Sequence, residues 1–296
     1  MNNNENSFAA ENNSPLHSLE QWEDDVLQRY PDPSTINGDK KEEAFRDYNA
    51  TEKDGVKEFY RLNHKYQTLD FVKQNKANYL KFDKKEMPIW DAFDFLNQLV
   101  DDSDPDTDLD QMQHLLQTSE AIRNDGHPDW MVLVGLIHDM GKVLCLFGEP
   151  QWAVVGDTFP VGCAYSDKIV YSEFFAANPD FKNELYQDKL GIYTQNCGLD
   201  NVHMSWGHDE YVYHMMKDYI PEPGLYMLRY HSFYSQHREN AYAHLMTEKD
   251  HEMFKWVNLF NPYDLYSKNP NQKSWEELKP YYTALVSKYL PPTLKF

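Results

Sequence analysis

Apolar positions recur at helical spacing along most of the chain. Val56, Phe59, Tyr60 and Leu62 share one face, and Leu69, Phe71 and Val72 continue it, so residues 54–80 read as helix. "MPIWDAFDFLNQLV" (87–100) repeats Ile89, Phe93, Leu96 and Val100, and Pro88 suits a helix start. The acidic "DDSDPDTDLD" (101–110) reads as a turn. "LDQMQHLLQTSEAIRND" (109–125) is another helix, stopped by "NDGHP". Residues 129–148, "DWMVLVGLIHDMGKVLCLFG", are apolar on all sides and predict a central buried helix. Residues 149–166 break the pattern: their Gly, Pro and β-branched residues predict a loop with a short hairpin. Helical patterns resume at 205–217, 223–234, 239–258 and 274–289. The fold class is therefore all-α.

The start of the chain differs. Residues 1–14 are rich in Asn, Glu and Ser and are expected to be disordered. Residues 15–30 carry apolar positions at 16, 19, 22, 26 and 27, a surface helix, and "PDPSTINGDKK" (31–41) is a linker. The expected organisation is a largely disordered extension over 1–41 and one helical domain over 42–296.

Composition adds exclusions. The chain has 296 residues, 41% apolar and 15% aromatic, enough for a sizeable core. No apolar run approaches the ~18 residues of a membrane span. The N-terminus has neither a basic nor an apolar signal-peptide region. Cys145, Cys163 and Cys197 are an odd number at no framework spacing, so they read as free thiols in a reducing, cytoplasmic setting. The net charge is −20, with 48 acidic against 28 basic residues, which argues against nucleic acid and anionic membranes. A neutral or cationic small molecule, or a metal, stays open. No heptads demand assembly, so a monomer is expected.

Within the buried helix lies "GLIHDMGK", residues 135–142. Ionisable groups in such a place must be paired or bound to metal. Neighbouring helical residues differ in direction by ~100°. His138 and Asp139 therefore cannot face one point squarely, but they can flank a centre between them. A carboxylate has two oxygens, so Asp139 is able to bridge two metal ions. The dipeptide alone does not decide this, since it equally suits an N-capping Asp or a hydrogen-bonded core His, and it occurs again at His208–Asp209. Asp209 reads as a first-turn residue that complements its helix dipole, not as a ligand. Context is more telling. His114, His208, His231 and Asp264 all sit amid aromatic and aliphatic residues. The other histidines (His17, His64, His127, His203, His214, His237, His244 and His251) read as surface or packing residues.

The order His114, His138–Asp139, Asp264 resembles the metal-binding signature of the HD-domain superfamily, a helical core with one or two metal ions. A closer resemblance follows from longer blocks. "HDMGKVLCLFGEPQWAVVGDTFPVGC" (138–163), "CGLDNVHMSWGHDEY" (197–211), "YMLRYHSFY" (226–234) and "LVDDSDPD" (99–106) are similar to blocks of the myo-inositol oxygenases, as are "FRDY" (45–48) and "QTLDFV" (67–72). That family carries a diiron centre on an HD-type helical core and splits the myo-inositol ring with O2, giving D-glucuronate. By motif, the resemblance implies one iron held by His114, His138 and Asp264, a second held by His208 and His231, and Asp139 as the bridge. Four imidazoles and two carboxylates neutralise little metal charge, in keeping with the family's Fe(II)/Fe(III) state; the same donors also suit zinc and manganese. The resemblance further implies substrate contacts from Arg46, Asp101, Asp102, Ser103, Gly156, Asp157, His231 and Ser232. Lys142 follows His138 by four positions and would share its helix face, where its ammonium is placed to hold the reacting hydroxyl.

Two rival readings share part of this set. An HD-type phosphohydrolase would use His114, His138, Asp139 and Asp264, but needs cations for phosphate, and the chain offers mainly Lys142, Arg123 and Arg229 nearby. A non-enzymatic diiron protein that binds O2 or metal would not need the polyol-binding residues.

Overall fold

In the computed structural model, residues 54–99, 111–266 and 273–296 are described. The expectations for residues 1–41, Arg46, Asp101, Asp102 and Ser103 fall outside them. Helices dominate, as the hydrophobic spacing predicts. The apolar face over 54–80 forms two helices, α1 (Asp54–Tyr66) and α2 (Leu69–Tyr79). They part at Thr68, whose side chain caps α2 by accepting from the Phe71 N–H. A short strand, β1 (Glu86–Pro88), then leads into α3 (Ile89–Leu96) with Pro88 as the entering residue. β1 pairs antiparallel with β2 (Thr293–Lys295), Met87 opposite Leu294. The Phe296 main chain bonds Lys84 and Lys85, and its ring is buried.

Helix α4 (Gln111–Asn124) packs on α5 (Asp129–Ile137), the most deeply buried element. By length and composition the stretch Asp129–Phe147 passes for a membrane span, contrary to the sequence reading, but 78% of it is buried inside the protein. It is a core element.

The predicted continuous helix over 129–148 is corrected at its middle. Ile137 leaves helical geometry (φ −110°, ψ −2°), and His138–Phe147 continue as a 3₁₀ helix that ends at Gly148 in the left-handed region, φ 91°. This tighter winding lets another element approach closely. A Cβ on Gly141 would overlap the His208 carbonyl oxygen and stand 2.6 Å from its Cα. Glycine is required there because the start of α6 (His208–Met216) lies directly against the 3₁₀ helix.

The expected hairpin over 149–166 is absent. A 3₁₀ turn at Gln151–Ala153 is followed by a loop that pairs with the segment before α6: Val161 N bonds His203 O (2.9 Å), Ser205 N bonds Phe159 O (2.6 Å), and Pro160 bridges Met204. The loop's backbone is thus committed to a distant segment, not to itself. Helices α7 (Glu222–Tyr230), α8 (Tyr234–His237), α9 (Glu248–Tyr266) and α10 (Trp275–Tyr289) complete the order. Apolar spacing predicts an end for α9 near residue 258, but the helix runs through Pro262 and so carries Asp264 to the core.

Candidate metal centre

Five elements converge on one buried point. α4 brings His114, the 3₁₀ helix brings His138, Asp139 and Lys142, and α9 brings Asp264. α6 brings His208, and His231 follows α7 as its C-terminal cap. His138, Asp139, His208 and His231 are each at most 4% exposed.

The six residues form two groups joined by one carboxylate. His114 Nε2 lies 3.3 Å from His138 Nε2. Asp264 Oδ1 lies 3.1 Å from the first ring and 3.2 Å from the second. In the other group His208 Nε2 lies 3.1 Å from His231 Nε2. Asp139 Oδ2 is 3.6 Å from His138 Nε2, and its Oδ1 is 3.4 Å from His208 Nε2 and 4.0 Å from His231 Nε2. One oxygen therefore faces each group. Ligand atoms of His114, His138 and Asp139 all lie within 4.8 Å of one another, as do those of Asp139, His208 and His231.

The ring orientations fit a metal. His138 Nδ1 bonds the Gly135 carbonyl (2.9 Å), His208 Nδ1 bonds Val154 O (2.8 Å), and His231 Nδ1 bonds Leu228 O (3.0 Å). A carbonyl can only accept, so each Nδ1 carries the hydrogen and leaves Nε2 with a lone pair. Between His208 and His231 the neutral rings then turn lone pairs toward each other and toward carboxylates, an arrangement that a cation among them relieves. Two nitrogens each ~2.1 Å from one ion, at right angles about it, stand ~3 Å apart, which matches both histidine pairs.

The electrostatics agree. Burial opposes charge on Asp139, yet Lys142 and the surrounding histidines outweigh it and hold the carboxyl well below its usual range. Burial likewise opposes ionisation of Asp264, but His138 and His114 keep it ionised. Without metal, Asp139 and Asp264 overcome burial at His138 and raise that ring to about 9. A metal ion entering the first group displaces that proton.

Lys142 does not stand where α-helical spacing would put it. In a 3₁₀ helix residues three apart eclipse. Its Nζ accordingly meets Asp139 Oδ2 at 2.9 Å, and it also donates to Gln111 Oε1 at 3.2 Å. The lysine belongs beside the Asp139 carboxylate, one 3₁₀ turn away, instead of on the face of His138.

Asp209 needs a larger revision. It does occupy the first turn of α6, as its sequence position suggests, but its side chain is 1% exposed. Its Oδ1 lies 2.7 Å from His208 Nε2 and 3.4 Å from His231 Nε2. Ser232 donates to it from both N–H and Oγ (3.2 Å each), and Thr158 Oγ1 donates to Oδ2 at 3.1 Å. Ser232 thus reaches the centre through Asp209. Asp157 is buried and accepts from Tyr60 Oη at 3.1 Å, and Gly156 beside it has φ +97°. Sequence reasoning also missed Gln111, Thr158 and the Val154 carbonyl. Nothing in their local sequence marks them, since their partners lie 31 to 54 positions away.

Of the three cations invoked for a phosphohydrolase, Lys142 lies at the centre and the two arginines are engaged elsewhere. Arg123 pairs with Glu120 (3.0 Å) and covers the Tyr281 ring, and Arg229 is buried against Glu210 at 2.7 Å.

The family model described as myo-inositol oxygenase matches residues 53–296. Inositol oxygenase 1 of Arabidopsis thaliana is 54% identical over 263 residues, covering 86% of this chain and 84% of that protein. The inositol oxygenase of Dictyostelium discoideum is 48% identical, covering 86% and 90% respectively. That of Danio rerio is 48% identical, covering 90% and 99%.

Proposed function

The chain belongs to the myo-inositol oxygenase family, and from that premise we propose that it is an inositol oxygenase with two iron ions, cleaving myo-inositol with O2 to D-glucuronate and water. The observation that carries this reading is the pair of histidine groups joined by the two oxygens of Asp139. In the proposed assignment His114, His138 and Asp264 hold one iron, His208 and His231 hold the other, and Asp139 bridges them. Bound iron at mixed Fe(II)/Fe(III) valence supplies the O2 activation and electron transfer. Incubation of the iron-loaded protein with myo-inositol and O2, followed by assay for D-glucuronate, tests the activity.

The chain's own residues do the rest. The buried aliphatic wall around His138 and Asp139 limits water at the centre. The three backbone carbonyls fix the imidazole orientations before any ligand arrives. The Lys142 ammonium, held by Asp139 and Gln111, supports a role in steadying the reacting hydroxyl as it ionises. Asp101, Asp102, Ser103, Arg46, Gly156, Asp157, His231 and Ser232 are proposed to orient the polyol, their carboxylates accepting its hydroxyl hydrogens.

Lys142→Ala is expected to keep both irons, because the metal ions supply the positive charge that Asp139 needs. Turnover should fall by ~100-fold or more, the scale for losing one preorganised charge at a reacting oxygen. Normal turnover would refute the role of the lysine. Asp209 supplies a third negative charge, at the second ion. Asp209→Asn is expected to weaken that ion by ~10–100-fold, seen as iron falling from two to one per chain after dialysis against a chelator. Full retention of both ions would contradict this.

The three cysteines are free, which supports a cytosolic setting. The HD-type descent of the helical core and a monomeric state belong to the same proposal.

A further inference from the structure

The helices that carry His208 and His231 wall a second site on their opposite faces. Glu210, Tyr213, His214 and Lys217 follow one another along α6 at helical spacing and point away from the metal centre, as Arg229 does on α7. With Lys76 of α2 and His203 they line a half-open cavity of about 520 Å³ that shares no lining residue with the metal centre, Lys217 standing just past the end of α6. Glu210 is its fixed core, bonded by Lys76 (2.6 Å), Arg229 (2.7 Å) and His214 (3.1 Å). One buried carboxylate is therefore met by two permanent cations.

Two further basic side chains make no direct ion pair among the described residues, although Glu210 acts on both and Asp200 on Lys217. Lys217 makes no ion pair among the described residues and lies over the Tyr213 ring at 4.6 Å, where the Arg229 guanidinium also stands at 4.5 Å. The His203 ring makes no hydrogen bond among the described residues. Burial lowers its pKa, Lys76 and Lys73 lower it further and Glu210 opposes them, so the ring is a neutral hydrogen-bonding group. Three permanent cations, Lys76, Lys217 and Arg229, line this cavity in a chain of net charge −20. The rim differs. Asp200 and Glu222 are half exposed and both bonded by Lys249, at 3.1 and 2.7 Å.

We propose that this cavity binds a small polyhydroxylated anion, its carboxylate or phosphate between Lys217 and His203 and its hydroxyls toward Asp200 and Glu222. The Lys217 ammonium supplies charge and the His203 ring an N–H for an anionic head, while the rim carboxylates suit hydroxyl donors. The volume is ample for a hexose-sized ligand. The proposal goes beyond the oxygenase reading and does not rest on it.

The test is calorimetric titration of the full-length, iron-loaded protein without O2, with excess myo-inositol present. The probes are D-glucuronate, inositol 1-phosphate, inorganic phosphate and, as neutral control, D-glucose. One equivalent of glucuronate or inositol 1-phosphate is expected to bind, and D-glucose is not. Glucuronate binding assigns a carboxylate ligand, and inositol 1-phosphate binding a phosphoryl one. Lys217→Glu and His203→Ala are each expected to weaken binding by about tenfold or more. Both residues lie away from the metal cluster, so iron content and turnover should not change. Absence of binding by both sugar anions would overturn the proposal. So would binding that Lys217→Glu leaves unchanged, or inorganic phosphate binding as tightly as either sugar anion.

Discussion

Asp139→Asn is expected to give a folded protein without an exchange-coupled pair of irons. Asp139 is the one side chain among the described residues whose two oxygens face both histidine groups. An amide keeps one acceptor oxygen and turns the other position into a donor, which points hydrogens at a cation. The variant also removes the anion that Lys142 meets at 2.9 Å, leaving an ammonium beside the metal pair. Iron content should fall to about one per chain, and turnover by at least ~10²–10³-fold, the scale for one preorganised group at an active site. The measurement is paramagnetic resonance of the half-oxidised protein together with iron analysis. A coupled signal that survives would show that Asp139 is not the bridge.

Gly141→Ala is expected to disrupt the centre without touching a ligand. The new methyl would overlap the His208 carbonyl, which is backbone and cannot rotate away. Either the 3₁₀ helix or the start of α6 must move, and the two carry Asp139 and His208. The stability cost should sit at the upper end of the ~1–3 kcal/mol typical of overpacking. The second ion should be lost before the first, because His114 and Asp264 stand on α4 and α9, away from the contact. Thermal unfolding with iron analysis checks both parts. A variant with unchanged midpoint and two irons would mean that the approach of α6 is not constrained at Gly141.

The six proposed ligands were legible because ionisable residues in apolar surroundings stand out, and because their order along the chain matches a known pattern. The structure brings all six together. The error over Lys142 has a physical source. Residues 129–148 are so uniformly apolar that they carry no period, and α and 3₁₀ windings cannot be told apart without one. Asp209 occupies the first helical turn as expected, but its inward direction was not legible, because a first-turn position is the same whether the side chain meets solvent or core. What decides its direction is Thr158 and Ser232, 51 and 23 residues away. The hairpin expected over 149–166 failed likewise, since the loop pairs with residues near 203–208. Apolar spacing also ended α9 before Pro262, although the helix continues through that proline to deliver Asp264.

The most direct test of the account is product formation. The protein is loaded with iron, brought to the mixed-valent state and given myo-inositol and O2. The account predicts D-glucuronate, formed with an equimolar uptake of O2. Failure to form glucuronate, or turnover that continues when O2 is excluded, would contradict it.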